Sequence, residues 1–254
     1  LSSVTGRSYG ILASNTDVSV PKADSTILLD TNSLIDLSAS KEGVGVFAKR
    51  STVTVDGEIK VGENGIGIYG DNSEVNINSL ALDLTGNHSV GLYLAGSENL
   101  TVTGNVDVNV TGSDSAIFYF NSTGSIAGFG ENLRILSTAP GASFILGLFE
   151  TAQFNFTNTF LNTVELGTDS VTAVTGKDSV IRLGPEVTIN GTGDGQTGVA
   201  SDGQAVPPAS FIAGYTNYEV VNESTINLQN SSTGIYAKNG ARVYNSGTIG
   251  VENN

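Results

Sequence analysis

Residues 43–110 repeat one short pattern three times, and no other feature of the chain limits its fold so strongly. Each unit opens on Gly-x-aromatic: Gly45-Val46-Phe47, Gly67-Ile68-Tyr69 and Gly91-Leu92-Tyr93. The heads stand 22 and 24 residues apart (67 − 45 and 91 − 67). A period of this size points to an array of identical supersecondary units rather than a globule with one centre.

Inside each unit three short runs alternate apolar and polar residues. In the first these are Val44/Val46/Ala48, Val53/Val55 and Ile59/Val61. In the second they are Ile66/Ile68, Val75/Ile77 and Leu80/Leu82/Leu84, and in the third Val90/Leu92/Leu94, Leu100/Val102 and Val106/Val108/Val110. Alternation with period two marks a strand with one buried face. Asp56-Gly57, Gly70-Asp71-Asn72, Thr85-Gly86-Asn87 and Thr103-Gly104-Asn105 separate the runs, and Gly and Asn accept turn conformations cheaply.

Three strands and three turns per unit describe one coil of a three-sided parallel β-helix. The expected fold is therefore all-β, a right-handed solenoid of about nine coils of 22–25 residues with loop insertions. A sandwich of hairpins would also space short strands evenly. It would not return the same residue type to the same place one unit later.

The rest of the chain extends the pattern. A first coil covers 7–36, and a fourth head is expected at Ala116-Ile117-Phe118-Tyr119. Residues 121–170 are less regular, with Phe129, Phe144, Phe149, Phe154, Phe156 and Phe160 promising a thicker core and a loop near 121–143. Pro207-Pro208 lie in 201–219, a stretch too long for a turn and expected to protrude as a loop. The segments Asn222-Glu223-Ser224-Thr225-Ile226 and Asn245-Ser246-Gly247-Thr248-Ile249 are near copies. The whole of 1–254 reads as one solenoid that begins and ends in mid-pattern, as a piece of something longer.

Composition narrows the function. A net charge of −14 disfavours nucleic acid and anionic membrane surfaces. Cys is absent, so no disulfide or thiolate-bound metal forms. No apolar run reaches 18 residues, so no helix is expected to insert in a membrane.

Catalytic patterns are sparse. His88 is the only histidine, in Gly86-Asn87-His88-Ser89, and reads as a solvated turn residue. Gly193-x-Gly195-x-x-Gly198 matches a dinucleotide fingerprint by letter but opens no helix. A pectin-degrading β-helix needs paired carboxylates. Of the polygalacturonase-like signature only Asn15-Thr16-Asp17 is present. No catalytic residue, metal ligand or cofactor is assigned, and the chain is read as a non-enzyme.

Strand parity supplies a candidate surface. If Val44 and Val46 point in, Gly45 and Phe47 point out. The same parity turns outward Gly67 with Tyr69, Gly91 with Tyr93, Ala116 with Phe118, and Gly234 with Tyr236. Phe47, Tyr69, Tyr93, Phe118 and Tyr236 would then form an exposed aromatic column beside bare backbone. Flat rings in that setting suit sugars or a partner's strand, or else stiffen the wall by packing on each other.

The phrases Gly43-Val44-Gly45-Val46-Phe47-Ala48, Gly65-Ile66-Gly67-Ile68-Tyr69 and Thr233-Gly234-Ile235-Tyr236-Ala237-Lys238-Asn239-Gly240, with Asn245-Ser246-Gly247-Thr248-Ile249, resemble the passenger repeats of large type V autotransporter adhesins. Fusobacterial surface adhesins are the most similar. The resemblance implies a β-helix exported through the outer membrane and displayed at the cell surface. There it would act as a monomer and attach to a protein or glycan receptor on host cells or other bacteria. A pure spacer in such an adhesin and a carbohydrate-active β-helix enzyme are the alternatives.

Overall fold

The computed structural model describes residues 7–15, 25–96, 99–122, 126–127, 132–138, 142–157, 160–168, 171–203, 214–215 and 217–253. The described chain is strand and turn. The first rung holds β1 (Tyr9–Ser14) and β2 (Thr26–Leu37), the second β3 (Val44–Lys49) and β4 (Thr52–Val61), the third β5 (Ile66–Asp71) and β6 (Glu74–Leu84). The fourth divides into β7 (Val90–Gly96), β8 (Asn99–Val102) and β9 (Val106–Val110), the fifth into β10 (Ser115–Ser122), β11 (Ile126–Ala127) and β12 (Leu133–Thr138). The sixth contains β13 (Phe144–Glu150), β14 (Gln153–Phe156) and β15 (Asn162–Leu166), the seventh β16 (Thr172–Lys177), β17 (Val180–Leu183) and β18 (Val187–Gly191). The eighth contains β19 (Thr197–Asp202), β20 (Val220–Asn222) and β21 (Thr225–Gln229), the last β22 (Thr233–Lys238), β23 (Val243–Asn245) and β24 (Thr248–Glu252).

Every strand pairs in parallel with its counterpart one rung away, as a β-solenoid requires. The head strands form a nine-stranded sheet in the order β1-β3-β5-β7-β10-β13-β16-β19-β22, about eight turns from end to end. In the first rungs β2, β4 and β6 bend across a corner and serve two walls, with a register shift at Val55/Asp56. Later rungs give each wall its own strand, in the sheets β14-β17-β20-β23 and β15-β18-β21-β24. The hairpin sandwich is excluded by this parallel pairing.

Alternation places the core as read. Val53, Val55, Ile59, Val61, Val75, Ile77, Leu82, Leu84, Val106, Val108 and Val110 are fully buried. Val46, Ile68 and Leu92 join the same cluster. Burying one such aliphatic side chain contributes about 1.5–3 kcal/mol, so stacked aliphatic columns carry the stability of a chain with no disulfide.

The cross-section swells in the middle rungs. Hydrogen-bonded neighbours one rung apart are separated by 22 residues at Ser51–Ser73, 26 at Ser89–Ser115 and 29 at Asp114–Ser143. The separation falls again to 27 at Ala152–Ser179, 25 at Glu165–Asn190 and 23 at Asn222–Asn245. The extra girth is filled by Phe118, Phe120, Phe144, Phe149, Phe154 and Phe156, all buried. Phe160, grouped with them in the sequence, is 36% exposed.

The loop expected near 121–143 is corrected in part: β11 pairs β8 and β12 pairs β9, so this stretch completes a rung. Its remainder, including Phe129, lies outside the described residues. So do Thr16-Asp17 and Pro207-Pro208.

Corners carry the polar cost. Ser51, Ser73, Ser89, Ser115, Ser143 and Ser179 are buried there and bond between or within rungs. Arg50, Asn72 and Asp178 turn the corner after the head with positive φ, and Glu42, Asn64, His88 and Asp114 turn the corner before it.

Candidate binding surfaces

The aromatic column is real, but its membership differs from the parity reading. Phe47, Tyr69, Tyr93 and Tyr119 lie in one register row on the outer face of the head sheet. Their rings stack with centroids 4.9, 5.0 and 4.5 Å apart and interplanar angles of 1°, 18° and 10°. Phe118, expected to face out, is fully buried. Its backbone pairs Leu92, so Tyr119, not Phe118, follows Tyr93. Tyr236 belongs to the same row at 51% exposure, but Leu148, Thr175 and Ala200 separate it from Tyr119.

The glycine column is also corrected. Gly45 and Gly67 face the interior. A Cβ on Gly45 would lie 2.6 Å from Ile59 Cγ2, and one on Gly67 2.7 Å from Leu82 Cδ1. In each rung the ladder skips this residue, pairing Val44 with Ile66 and then Val46 with Ile68. Regular alternation breaks there, and two successive residues turn inward. Val44, Ile66 and Val90 accordingly stand outside the core cluster that holds their partners two positions on. Ile117 occupies the glycine row in the fifth rung, which is why reading Ala116 as its equivalent misplaced Phe118 by one.

Stacking has a consequence for recognition. A sugar packs on a ring face, and the faces within this row are covered by neighbouring rings; edges and hydroxyls are what it presents. Burial first, with the adjacent Tyr93 and Glu150, raises the Tyr119 phenol above its ordinary pKa. Two ion pairs lie in the row two positions on, Lys49–Asp71 at 3.1 Å beside Phe47 and Tyr69 and Lys238–Asp202 at 2.9 Å beside Tyr236. Exposed pairs of this kind add little stability.

Each stacked contact is worth about 0.5–1.5 kcal/mol. Replacing Tyr93, which has a ring on both sides, should therefore lower stability by about 2 kcal/mol in a urea titration. Tyr236→Ala, outside the stack, should change it by less than about 0.5 kcal/mol. Equal effects would show that the rings do not support one another.

The second wall ends in a clamp. Glu219, fully buried, accepts bonds from Arg242 Nη2 at 2.7 Å, Nε at 3.1 Å and its backbone N–H at 2.7 Å. Arg182 donates to Glu223 Oε2 at 3.0 and 2.8 Å, and the Tyr215 hydroxyl donates to Oε1 at 3.1 Å. Tyr244 packs on Tyr215 and Tyr218 at 4.8 and 5.6 Å. These contacts fix Tyr215, Tyr218 and Glu219 to the wall.

The third wall holds a feature that sequence reading missed. Across β15, β18, β21 and β24 two outward rows run side by side: Thr163–Thr188–Thr225–Thr248 and Glu165–Asn190–Asn227–Gly250. Asn190 Nδ2 donates to Glu165 Oε1 at 2.9 Å, and Asn227 Nδ2 to Asn190 Oδ1 at 3.2 Å. A groove of about 380 Å³ lies over this row, lined also by Thr192, Gln229 and Glu252. The recurring Thr-x-Glu/Asn at 163–165, 188–190 and 225–227 was its signal.

The catalytic alternatives find little here. His88 Nε2 lies 3.8 Å from Asp114 Oδ2, both exposed. Among the described residues no group of three His, Cys, Asp or Glu side chains converges as a metal site would need. Glu165 and Glu252 share the groove, but three strand spacings separate their rungs, about 14 Å at about 4.8 Å each. Glycosidase carboxylates sit about 5–9.5 Å apart. Among the described residues no helix is long and apolar enough to cross a membrane. Comparison of the chain with protein-family models, with curated proteins and with solved structures returns no match.

Proposed function

We propose that this chain is a non-catalytic binding segment of a cell-surface adhesin, displayed outside the outer membrane of a bacterium like the autotransporter passengers it resembles. One observation carries the reading. The interior is solid with aliphatic and Phe side chains, while rows of repeated side chains face outward from a stiff wall. Recognition then belongs to the outer face, where a repeated row can meet a repeated or extended partner. The acidic surface suits a neutral or basic partner and not a nucleic acid.

The test is attachment of the purified, labelled chain to host-cell and bacterial surfaces. Saturable attachment that unlabelled chain displaces is the expected result. No displaceable attachment to any surface would leave the chain as a spacer holding a binding tip elsewhere. The spacer reading is favoured by the ring stack, which stiffens the wall while covering its own ring faces.

A further inference from the structure

We propose that the groove on the third wall binds an uncharged glycan chain lying along the solenoid axis. The site is the row Glu165–Asn190–Asn227–Gly250 with its rim of Thr192, Gln229 and Glu252. The proposal rests on reading the chain as a binding segment, and it names the ligand class and the surface.

The chemistry of the row selects the ligand. An Asn side chain carries two N–H donors and a carbonyl acceptor. The ladder bonds use one donor of Asn190 and one of Asn227. Each amide keeps a second N–H, the row begins at the Glu165 carboxylate, and Glu252 on the rim adds a second carboxylate that can accept from hydroxyls. Acceptor and donor side by side over the Glu165, Asn190 and Asn227 rungs match vicinal sugar hydroxyls, which donate and accept together. The rungs recur at about 4.8 Å, close to the rise of one sugar residue in an extended glycan. The adjacent Thr row extends the hydroxyl-bearing surface.

Gly250 shapes the groove. It takes the place an Asn would hold in the last rung, and a Cβ there would meet only Asn227 Oδ1 at 3.7 Å and Ile226 O at 4.0 Å. The ladder therefore stops at Asn227, and open space begins where its next member would sit.

Other occupants fit less well. Glu165, Glu252 and the net charge of −14 repel sulfated, sialylated or uronic-acid glycans. A peptide strand added by backbone pairing would extend the sheet beyond β24 and would not lie over the outward face of β18 and β21, which are paired on both sides.

The experiment is binding of the purified chain to fluorescent hexasaccharides of glucose, galactose, mannose and N-acetylglucosamine, with hyaluronan and heparin fragments as charged comparators. At least one neutral probe should bind, and the charged ones should not. Asn227→Leu should weaken that binding about tenfold, the loss expected when a paired amide is removed. Gly250→Leu should do the same by filling the floor, and both variants should keep the parent's thermal midpoint. The idea is overturned if no neutral probe binds, if charged fragments bind better, or if both variants bind like the parent. Attachment of the parent chain to cells is scored separately. Cell attachment that survives both variants would sink the groove while leaving the adhesin reading intact.

Discussion

Phe154→Ala should be among the most damaging single substitutions in this chain. Phe154 is fully buried at the hub of the widest rungs. Its ring lies 4.7 Å from Phe149, 5.5 Å from Phe118, 5.8 Å from Phe156 and 6.4 Å from Phe120. Truncation removes the transfer free energy of a phenyl group and leaves a void that four other rings cannot close without leaving their rotamers. Core Phe→Ala changes cost about 3–5 kcal/mol. For a chain of this size that lowers the thermal midpoint by about 10 °C. Neighbouring rungs stabilise one another in a solenoid, so the loss should appear first as local opening. Limited proteolysis should cut near the sixth rung before global melting. Phe154→Leu, which keeps most of the volume, should lose less than half as much. A midpoint unchanged by the alanine would mean that the Phe cluster is not the packed centre of these rungs.

The sequence made the walls legible and the corners of each rung less so. Val53/Val55 and Ile59/Val61 keep one parity across the Asp56-Gly57 corner, and every one is buried. The head alternates only in its letters. Backbone pairing skips Gly45 and its equivalents, so two successive positions turn inward, and parity carried through the glycine reverses the face of everything before it. Where Ile117 replaced the glycine, the marker vanished and the register slipped by one, which placed Phe118 outside and overlooked Tyr119. The third-wall groove was hidden for a different reason. Asn190 and Asn227 are 37 residues apart because the 201–219 insertion lies between their rungs, so a row with a period near 25 looked broken. The stacking of Phe47, Tyr69 and Tyr93, by contrast, followed from the repeat itself, since identical positions one rung apart must come face to face.

Gly67→Ile is the second severe change, and its meaning comes from a natural experiment within the chain. A Cβ on Gly67 would stand 2.6 Å from the Gly91 carbonyl oxygen and 2.7 Å from Leu82 Cδ1, and the backbone contact cannot move without shifting the next rung. Yet the same row holds Ile117 two rungs away, fully buried. The difference is girth. Rungs near Gly67 have partners 22 residues apart, against 29 at Asp114–Ser143, and only the wider rungs have interior room for a side chain at this place. Overpacking a tight core costs about 1–3 kcal/mol, and a clash with backbone adds to that, so Gly67→Ile should destabilise by about 3 kcal/mol or more. Ile117→Gly should cost a similar amount by the opposite route, a cavity plus the conformational entropy of glycine. Because the two sites lie two rungs apart and fail for opposite reasons, combining them should not restore stability; the losses should add. Urea titration of the two single variants and the double tests this. Recovery in the double, or a Gly67→Ile chain as stable as the parent, would mean that girth does not set which residues this row accepts.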